Sequence, residues 1–375
     1  MNLKVKNKMK YFSIIALLAF TTGGYFWFSK NTIKTQKENS KPLIQEEVTI
    51  EEDTLISLVA VGDMMLGTNF PDTNCLPPKS TFLLQPVWSY LQNADITFGN
   101  LEGTVLNAGG ELKSCKDWSK CYAFRQPEYF TDQLKEAGFD LLSIANNHMG
   151  DFGNTGRNNT IRVLKEKGFK FAGLDNCPWD TLTVKGIKIG FTAFAPNTAC
   201  LQITNLTKAK EIVSELNKMC DIVIVSFHGG AEGSSKTHIT RAEEIFYDEN
   251  RGNVYAFARA VIDAGADVVL GHGPHVTRAI DHYKNRFITY SMGNFCTYNR
   301  FNLSGVNGIA PIFKLNLTKK GEFVNGTVTS IKQLGEGGPI LDDNQGAFEQ
   351  IKSLTTVDIP ELKVDFSSNG TFSFK

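Results

Sequence analysis

The sequence predicts an α/β fold, and three observations carry that expectation. Short runs rich in Val, Ile, Leu and Phe alternate with helix-like stretches, the pattern of mostly parallel strands buried on both faces. Five of these runs stop at a polar cluster, four of them beside a glycine. Two later pairs of apolar runs are separated by tight turns, Lys185-Gly186 and the Lys-Lys-Gly-Glu stretch at 319–322, and read as antiparallel hairpins of a second sheet.

Taken in order, residues 1–10 carry Lys4, Lys6, Lys8 and Lys10 and no acid, and residues 11–28 carry no charge at all. The apolar stretch ends in Tyr25, Phe26, Trp27 and Phe28, which suit a membrane interface. We therefore expect a cytoplasmic basic segment (1–10), a transmembrane signal anchor (11–28) and an extracytoplasmic remainder, with a cleavable signal peptide as the competing reading. Residues 29–53 are polar and mixed in charge, a flexible tether to a folded region at 54–375. Lys+Arg and Asp+Glu are both 39, so net charge gives no reason to expect nucleic acid as a partner.

The first buried strand, 55–61, ends at Gly62-Asp63; the second, 95–98, ends at Asn100 and Glu102; the third, 140–144, ends at Asn146-Asn147-His148. Two more, 222–225 and 268–270, run into His228 and into His272, with His275 three residues on. A helix-like segment at 253–266 lies between them, so strand, helix and strand form a parallel crossover. The carboxyl ends of such strands are where ligands bind, which brings three of the six histidines to one edge of one sheet. Aspartates precede four of the runs: Asp95, Asp140, Asp221 and Asp267. Helices are expected at 81–91, at 127–137 with Pro127 at its start, and at 158–167 closed by Gly168. Weak alternation over the last forty or so residues supports no assignment.

Imidazole mixed with carboxylate and amide oxygen suits a divalent transition metal, Mn, Fe, Zn or Co, better than calcium. The chain has no Gly-x-Ser-x-Gly elbow and no P-loop, so the residue set points to water activated by metal. The motifs GDMMLG, GNLEG, FRQPE, SIANNHMGDFG, SFHGGAEG, DAGADVVLGHGPHV and YSMGNF, in this order, resemble the CapA family of bacterial capsule-synthesis, poly-gamma-glutamate type proteins. That family is related to the calcineurin-like metallophosphoesterases, so the resemblance implies a four-layer α/β/β/α sandwich. It also implies metal ligands at Asp63, Asn147, His228, His272 and His275, assisted by Asn100 or Glu102, with His148 as the catalytic group. Two positions depart from the phosphoesterase pattern: Met65 stands where that pattern has histidine, and Asn100 where it has a bridging aspartate. One or two ions are therefore expected.

Arg125 and Glu232 are candidate substrate-binding residues; the plainer role is pairing with a carboxylate for Arg125 and anchoring a loop for Glu232. Of seven cysteines, Cys115 and Cys121 are expected in a disulfide, together or with Cys75. Two functions follow from the resemblance. The first is a metal-dependent hydrolase acting on a phosphoester or on an anionic cell-surface polymer, anchored in the cell membrane beside other capsule-synthesis membrane proteins. The alternative is a scaffold subunit of a polymer synthesis or export complex that keeps the fold with a weakened site.

Overall fold

The structure, a computed structural model, describes residues 55–115, 117 and 121–375; the expected anchor and tether lie outside the described residues. Among the described residues no helix is long and apolar enough to cross a membrane.

The first sheet is seeded by β1 (Leu55–Met65), against which β2 (Ile96–Leu101) runs parallel. The chain continues through α1 (Phe130–Glu136), β3 (Leu141–Ser143), α2 (Gly153–Glu166) and β4 (Lys170–Ala172), extending the parallel order to β1-β2-β3-β4. Pro127 lies just ahead of α1, its carbonyl accepting from the Phe130 N–H. The chain then leaves for a second sheet. There β5 (Trp179–Val184) and β6 (Ile187–Phe194) form the expected hairpin, turning through Lys185 and Gly186 at φ 48° and 78°. After α3 (Leu206–Met219), β7 (Ile222–His228) pairs parallel to β6. After α4 (Val254–Asp263), whose first turn is capped by the Asn253 side chain, β8 (Val268–His272) pairs parallel to β7. The sheet is finished by β9 (Ile280–Tyr283) and β10 (Arg286–Thr289), giving the order β9-β10-β8-β7-β6-β5.

From there the chain returns to the first sheet. β11 (Asn294–Thr297) runs parallel to the end of β1, and the long hairpin β12 (Ile309–Thr318) and β13 (Phe323–Gln333) lies antiparallel along its beginning. This corrects the sequence expectation in one respect. The strands that end in His228 and His272 belong to a different sheet from those that end in Asp63 and Asn100, and the 319–322 hairpin joins the Asp63 sheet. Apolar runs report burial but not the partner across the layer. The unassigned tail forms α5 (Gly346–Asp358), with Val364–Phe366 and Thr371–Phe374 on the far edge of the first sheet.

The two sheets pack face to face with helices outside them. Along β7, Ile222 and Ile224 enter the inter-sheet core, while Val223, Val225 and Phe227 pack with Ile212, Leu216, Phe257 and Val261 of α3 and α4. This is the period-two alternation of a strand covered on both faces. Across the sheets, Phe98 meets Phe191 at 5.6 Å and Phe287 meets Phe313 at 5.5 Å.

The four aspartates ahead of the strands share one task. Asp95 accepts from the Ser57 N–H (2.9 Å), Asp140 from Thr97 (3.0 Å), Asp221 from Lys188 (2.8 Å) and Asp267 from Val223 (2.7 Å). Each carboxylate thus satisfies an amide within the first three residues of the neighbouring strand, at the end of the sheet remote from the polar clusters, and so holds the strands in register. Asp267 is buried, which pushes its carboxyl up to about 6, and it also binds Arg286 at 2.8 Å. Asp267→Ala leaves the Val223 amide and Arg286 without this acceptor. Chemical denaturation of the full chain should show a loss of about 1–3 kcal/mol, and an unchanged midpoint would show the contact to be idle.

Candidate metal centre

The register of the strands brings the polar clusters together. In the first sheet Asp63 sits opposite Asn100 on one side and Asn294 on the other; in the second, His272 sits opposite His228. The backbone must come close here. A Cβ on Gly62 would lie 2.0 Å from the Gly293 carbonyl oxygen, and His275 is turned back over the site at φ 57°.

Asp63 is fully buried and joins the two halves. Its Oδ1 accepts from Asn100 Nδ2 (2.8 Å) and meets His272 Nδ1 (3.1 Å), while its Oδ2 meets His275 Nδ1 (3.0 Å). A carboxylate can only accept, so both imidazoles carry a proton on Nδ1 and turn Nε2 away from Asp63. Burial opposes ionisation of Asp63, but the hydrogen bonds and charges of His272 and His275 overcome it and hold the carboxyl below its usual range. These contacts occupy three of its roughly four acceptor directions. Asp63, read from the sequence as the first metal ligand, therefore orients the imidazoles as well.

Glu102 is wholly buried, and neither of its oxygens has a hydrogen-bond partner. Burial holds its carboxyl well above the usual range. Its Oε1 lies 3.5 Å from His275 Nε2 and 3.8 Å from His148 Nε2. His228, also buried, is held well below its usual pKa by desolvation and is neutral. The Nε2 atoms of His228 and His272 and the Oδ1 of Asn147 are likewise buried without partners. Ligand atoms of Glu102, His228 and His275 all lie within 4.8 Å of one another. Buried acceptors left unpaired are costly in an empty site. Although burial opposes it, Glu102 and Asp63 push the His275 imidazolium up to about 10, and a divalent cation that displaces its Nε2 proton would remove the cost of the unpaired acceptors, so the donor set fits one such ion. Met65, at the position where a histidine would stand in the phosphoesterase pattern, is buried in the core.

Asn146 fixes the third strand end. It donates to Asn100 Oδ1 (3.3 Å) and the Leu101 carbonyl (2.9 Å) and accepts from the His148 N–H (3.2 Å). His148 Nδ1 lies 2.8 Å from Asp151 Oδ2, and Asp151 also accepts from the Phe124 N–H (2.7 Å) and pairs with Lys113 (2.5 Å). The carboxylate places the His148 proton on Nδ1 and aims Nε2 at Glu102 and the cavity. Burial lowers the His148 pKa and Asp151 opposes it, so the neutral ring accepts a proton before it gives one.

A cavity of about 340 Å³ opens above this cluster, with His148 and His275 in its floor and Glu232, Tyr122, Phe124, Phe246, Arg300 and Phe301 around it. Glu232 is held by Arg251 (2.7 Å), so it is at once a loop anchor and a wall of the cavity. Its loop is pinned by a buried bidentate pair, Arg278 to Glu244 at 2.9 and 2.8 Å. Arg125 requires a correction. Its guanidinium donates to Asn69 Oδ1 (2.6 Å) and the Gly109 carbonyl (2.8 Å), lies 4.9 Å from the Phe152 ring centroid, and does not line the cavity. Its role is to brace a loop. Cys115 and Cys121 are bonded to each other, and Cys75 is free and buried. Sequence reading overlooked Arg251, Arg300 and Phe301. It gave Asp151 no place in the site, although its spacing three residues after His148 was a usable signal.

Residues 57–299 match the family described as bacterial capsule synthesis protein PGA_cap, and the chain belongs to that family. It is 30% identical over 266 residues to the capsule biosynthesis protein CapA of Bacillus anthracis, covering 65% of this chain and 60% of that protein. It is 28% identical over 265 residues to the PGA biosynthesis protein CapA of Bacillus subtilis, covering 66% and 65%. The chain thus spans less than two thirds of the length of these relatives. Among solved structures it is similar to the NAD nucleotidase of Haemophilus influenzae, with a TM-score of 0.40 at 12% identity over 80% of this chain and 56% of that one.

Replacing Asp151 with Asn removes the larger of the two carboxylate charges, Asp151 and Glu232, that raise the His148 pKa against burial. In the metal-free protein, NMR titration should show His148 titrating at lower pH than in the wild type. An unchanged midpoint would show that Asp151 does not set its protonation.

Proposed function

We propose that this chain is a metal-dependent hydrolase that works in capsule or cell-surface polymer biosynthesis, cutting an amide or phosphoester bond with water. One observation carries the reading: Glu102, His228 and His275 bring ligand atoms within 4.8 Å of one another where two sheets meet, and those of Glu102 and His228 are buried without partners. Glu102, His228 and His275 would hold the ion, with His272 and Asn147 completing the set and Asp63 orienting the imidazoles. A bound ion supplies Lewis acidity, which makes water a usable nucleophile near neutral pH. His148 Nε2 takes a proton from the attacking water and returns it to the leaving group, while Asp151 keeps the ring in one tautomer. Glu232 and the aromatic rim hold the substrate above Glu102 and keep bulk water away.

The test is a pair of variants in the full chain. His228→Ala should lose both bound metal and turnover. His148→Ala should keep metal and fold yet lose turnover by ~10²–10⁴. Metal content by elemental analysis separates the two. A second reading, a non-catalytic scaffold, is favoured by Met65 in the core and by the hydrogen bonds already made by Asp63. A wild-type chain that binds no metal and cleaves neither bond class would establish it.

We also place the folded region outside the cell membrane, held by residues 11–28, because four lysines precede that uncharged stretch. Protease added to spheroplasts should digest the domain. Protection until lysis would overturn this placement.

A further inference from the structure

We infer that Arg300 is the residue that recognises an anionic group of the substrate at the mouth of the cavity. The inference rests on the hydrolase reading for its place in a reaction, but its own support is separate. Every other arginine among the described residues donates to a carboxylate, an amide oxygen or a carbonyl oxygen. Arg300 does not. Its Nε is buried without an acceptor, and among the described residues no carboxylate pairs with its guanidinium.

The backbone is arranged to hold it there. Asn299 and Arg300 are consecutive non-glycine residues in the left-handed region, at φ 52° and 60°. Two left-handed residues in succession make a tight turn, as Tyr247-Asp248 and Lys284-Asn285 also do in this chain, and such a turn presents a side chain in one place only where its surroundings hold it. Here they do. The Asn299 side chain accepts from the Arg300 N–H (2.8 Å), the Asn299 N–H donates to the Glu336 carbonyl (2.5 Å), and the Tyr298 hydroxyl donates to the Glu336 carboxylate (2.5 Å). On the other side of the turn, Phe301 stacks on Phe124 at 5.2 Å and meets His275 edge-on at 5.4 Å. The same residue pair thus covers the metal cluster with Phe301 and presents Arg300 beside it.

The guanidinium lies over the ring of Tyr122, 5.0 Å from its centroid. Tyr122 directly follows Cys121, so the disulfide to Cys115 closes the loop that delivers this ring. Stacking holds the plane of the guanidinium and leaves the N–H groups on its edge free, the fork that binds a carboxylate or phosphate in two parallel hydrogen bonds. Glu232 lines the same cavity but is held by Arg251, which also pairs with Glu249 (2.6 Å), and among the described residues no ion pair joins Glu232 to Arg300. A cation held in an aromatic rim and left without a counter-ion fits an oxyanion carried by the ligand.

Calorimetry on the full chain, stripped of metal by EDTA, tests this without any need for turnover. Inorganic phosphate and glutarate are the probes, and glutaramide is the uncharged control. Wild-type protein should bind phosphate, glutarate or both, and glutaramide should show no binding; which anion binds identifies the source. Arg300→Gln should weaken that binding at least ~10-fold, the size of one charge-assisted hydrogen bond. Arg300→Lys, which keeps the charge and loses the fork, should fall between them. Arg162→Gln, which removes an exposed helix arginine paired with Glu128 and Glu166, should bind as the wild type does and so controls for net charge. Equal binding by wild type and Arg300→Gln, or no binding of either anion by the wild type, overturns the inference. A hydrolase indifferent to Arg300 would leave the proposed function standing. Anion binding lost in Arg300→Gln by a chain that takes up no metal would do the reverse.

Discussion

The hydrogen bonds that His272 and His275 give to Asp63 are what the rest of this site depends on. Asp63 ends a strand of one sheet, and the histidines follow a strand of the other. A buried carboxylate must be compensated, and here the compensation crosses the gap between layers. Because Asp63 takes the Nδ1 protons, it decides which ring nitrogen each imidazole turns toward Glu102 and His228. Asn100 and Asn146 extend the same logic, each amide donating to the next strand end. The result is a constellation in which few polar groups are free to reorient. Among those left unpaired, Glu102 and His228 meet His275 within 4.8 Å.

Much of this arrangement could be read from residue order. Apolar runs that stop at Asp63, Asn100, Asn147, His228 and His272 mark strand ends, and strands buried on both faces place such ends at one edge. The Lys185-Gly186 turn was evident because left-handed residues suit the twist of a two-residue hairpin. What could not be read was membership of a sheet. A run such as Ile222–Val225 looks the same whether its neighbour across the layer is a helix or a second sheet, so the division of the site between two sheets emerged only in three dimensions. The tail was silent for a related reason: α5 packs Phe348 and Ile351 into the inter-sheet core and Leu354 toward the helices, which blurs its periodicity.

The two arginines show where local reading fails. Arg125 stands in a motif beside Pro127, which suggested a substrate contact, but Asn69, Gly109 and Phe152 absorb its charge and its face. Arg300 stands in no conspicuous motif, and its exposure to the cavity comes from a tight turn fixed by Glu336, Tyr298 and Phe124, all distant in sequence or unremarkable in composition. Asp151 is the intermediate case. Its role toward His148 follows from spacing and needed only the carboxylate's inability to donate to become a definite tautomer.

Division of the donors between two sheets also orders events in time. Asp63, Asn100, Glu102 and Asn147 all precede residue 150, while the three ring donors arrive between residues 228 and 275. A chain emerging from its amino terminus therefore carries oxygen ligands long before it carries any nitrogen ligand. Half a site built from amides and two carboxylates has little grip on a transition ion. If the chain binds an ion as proposed, capture would wait until the second sheet closes on the first, and the ion would be drawn from whichever compartment surrounds the finished fold.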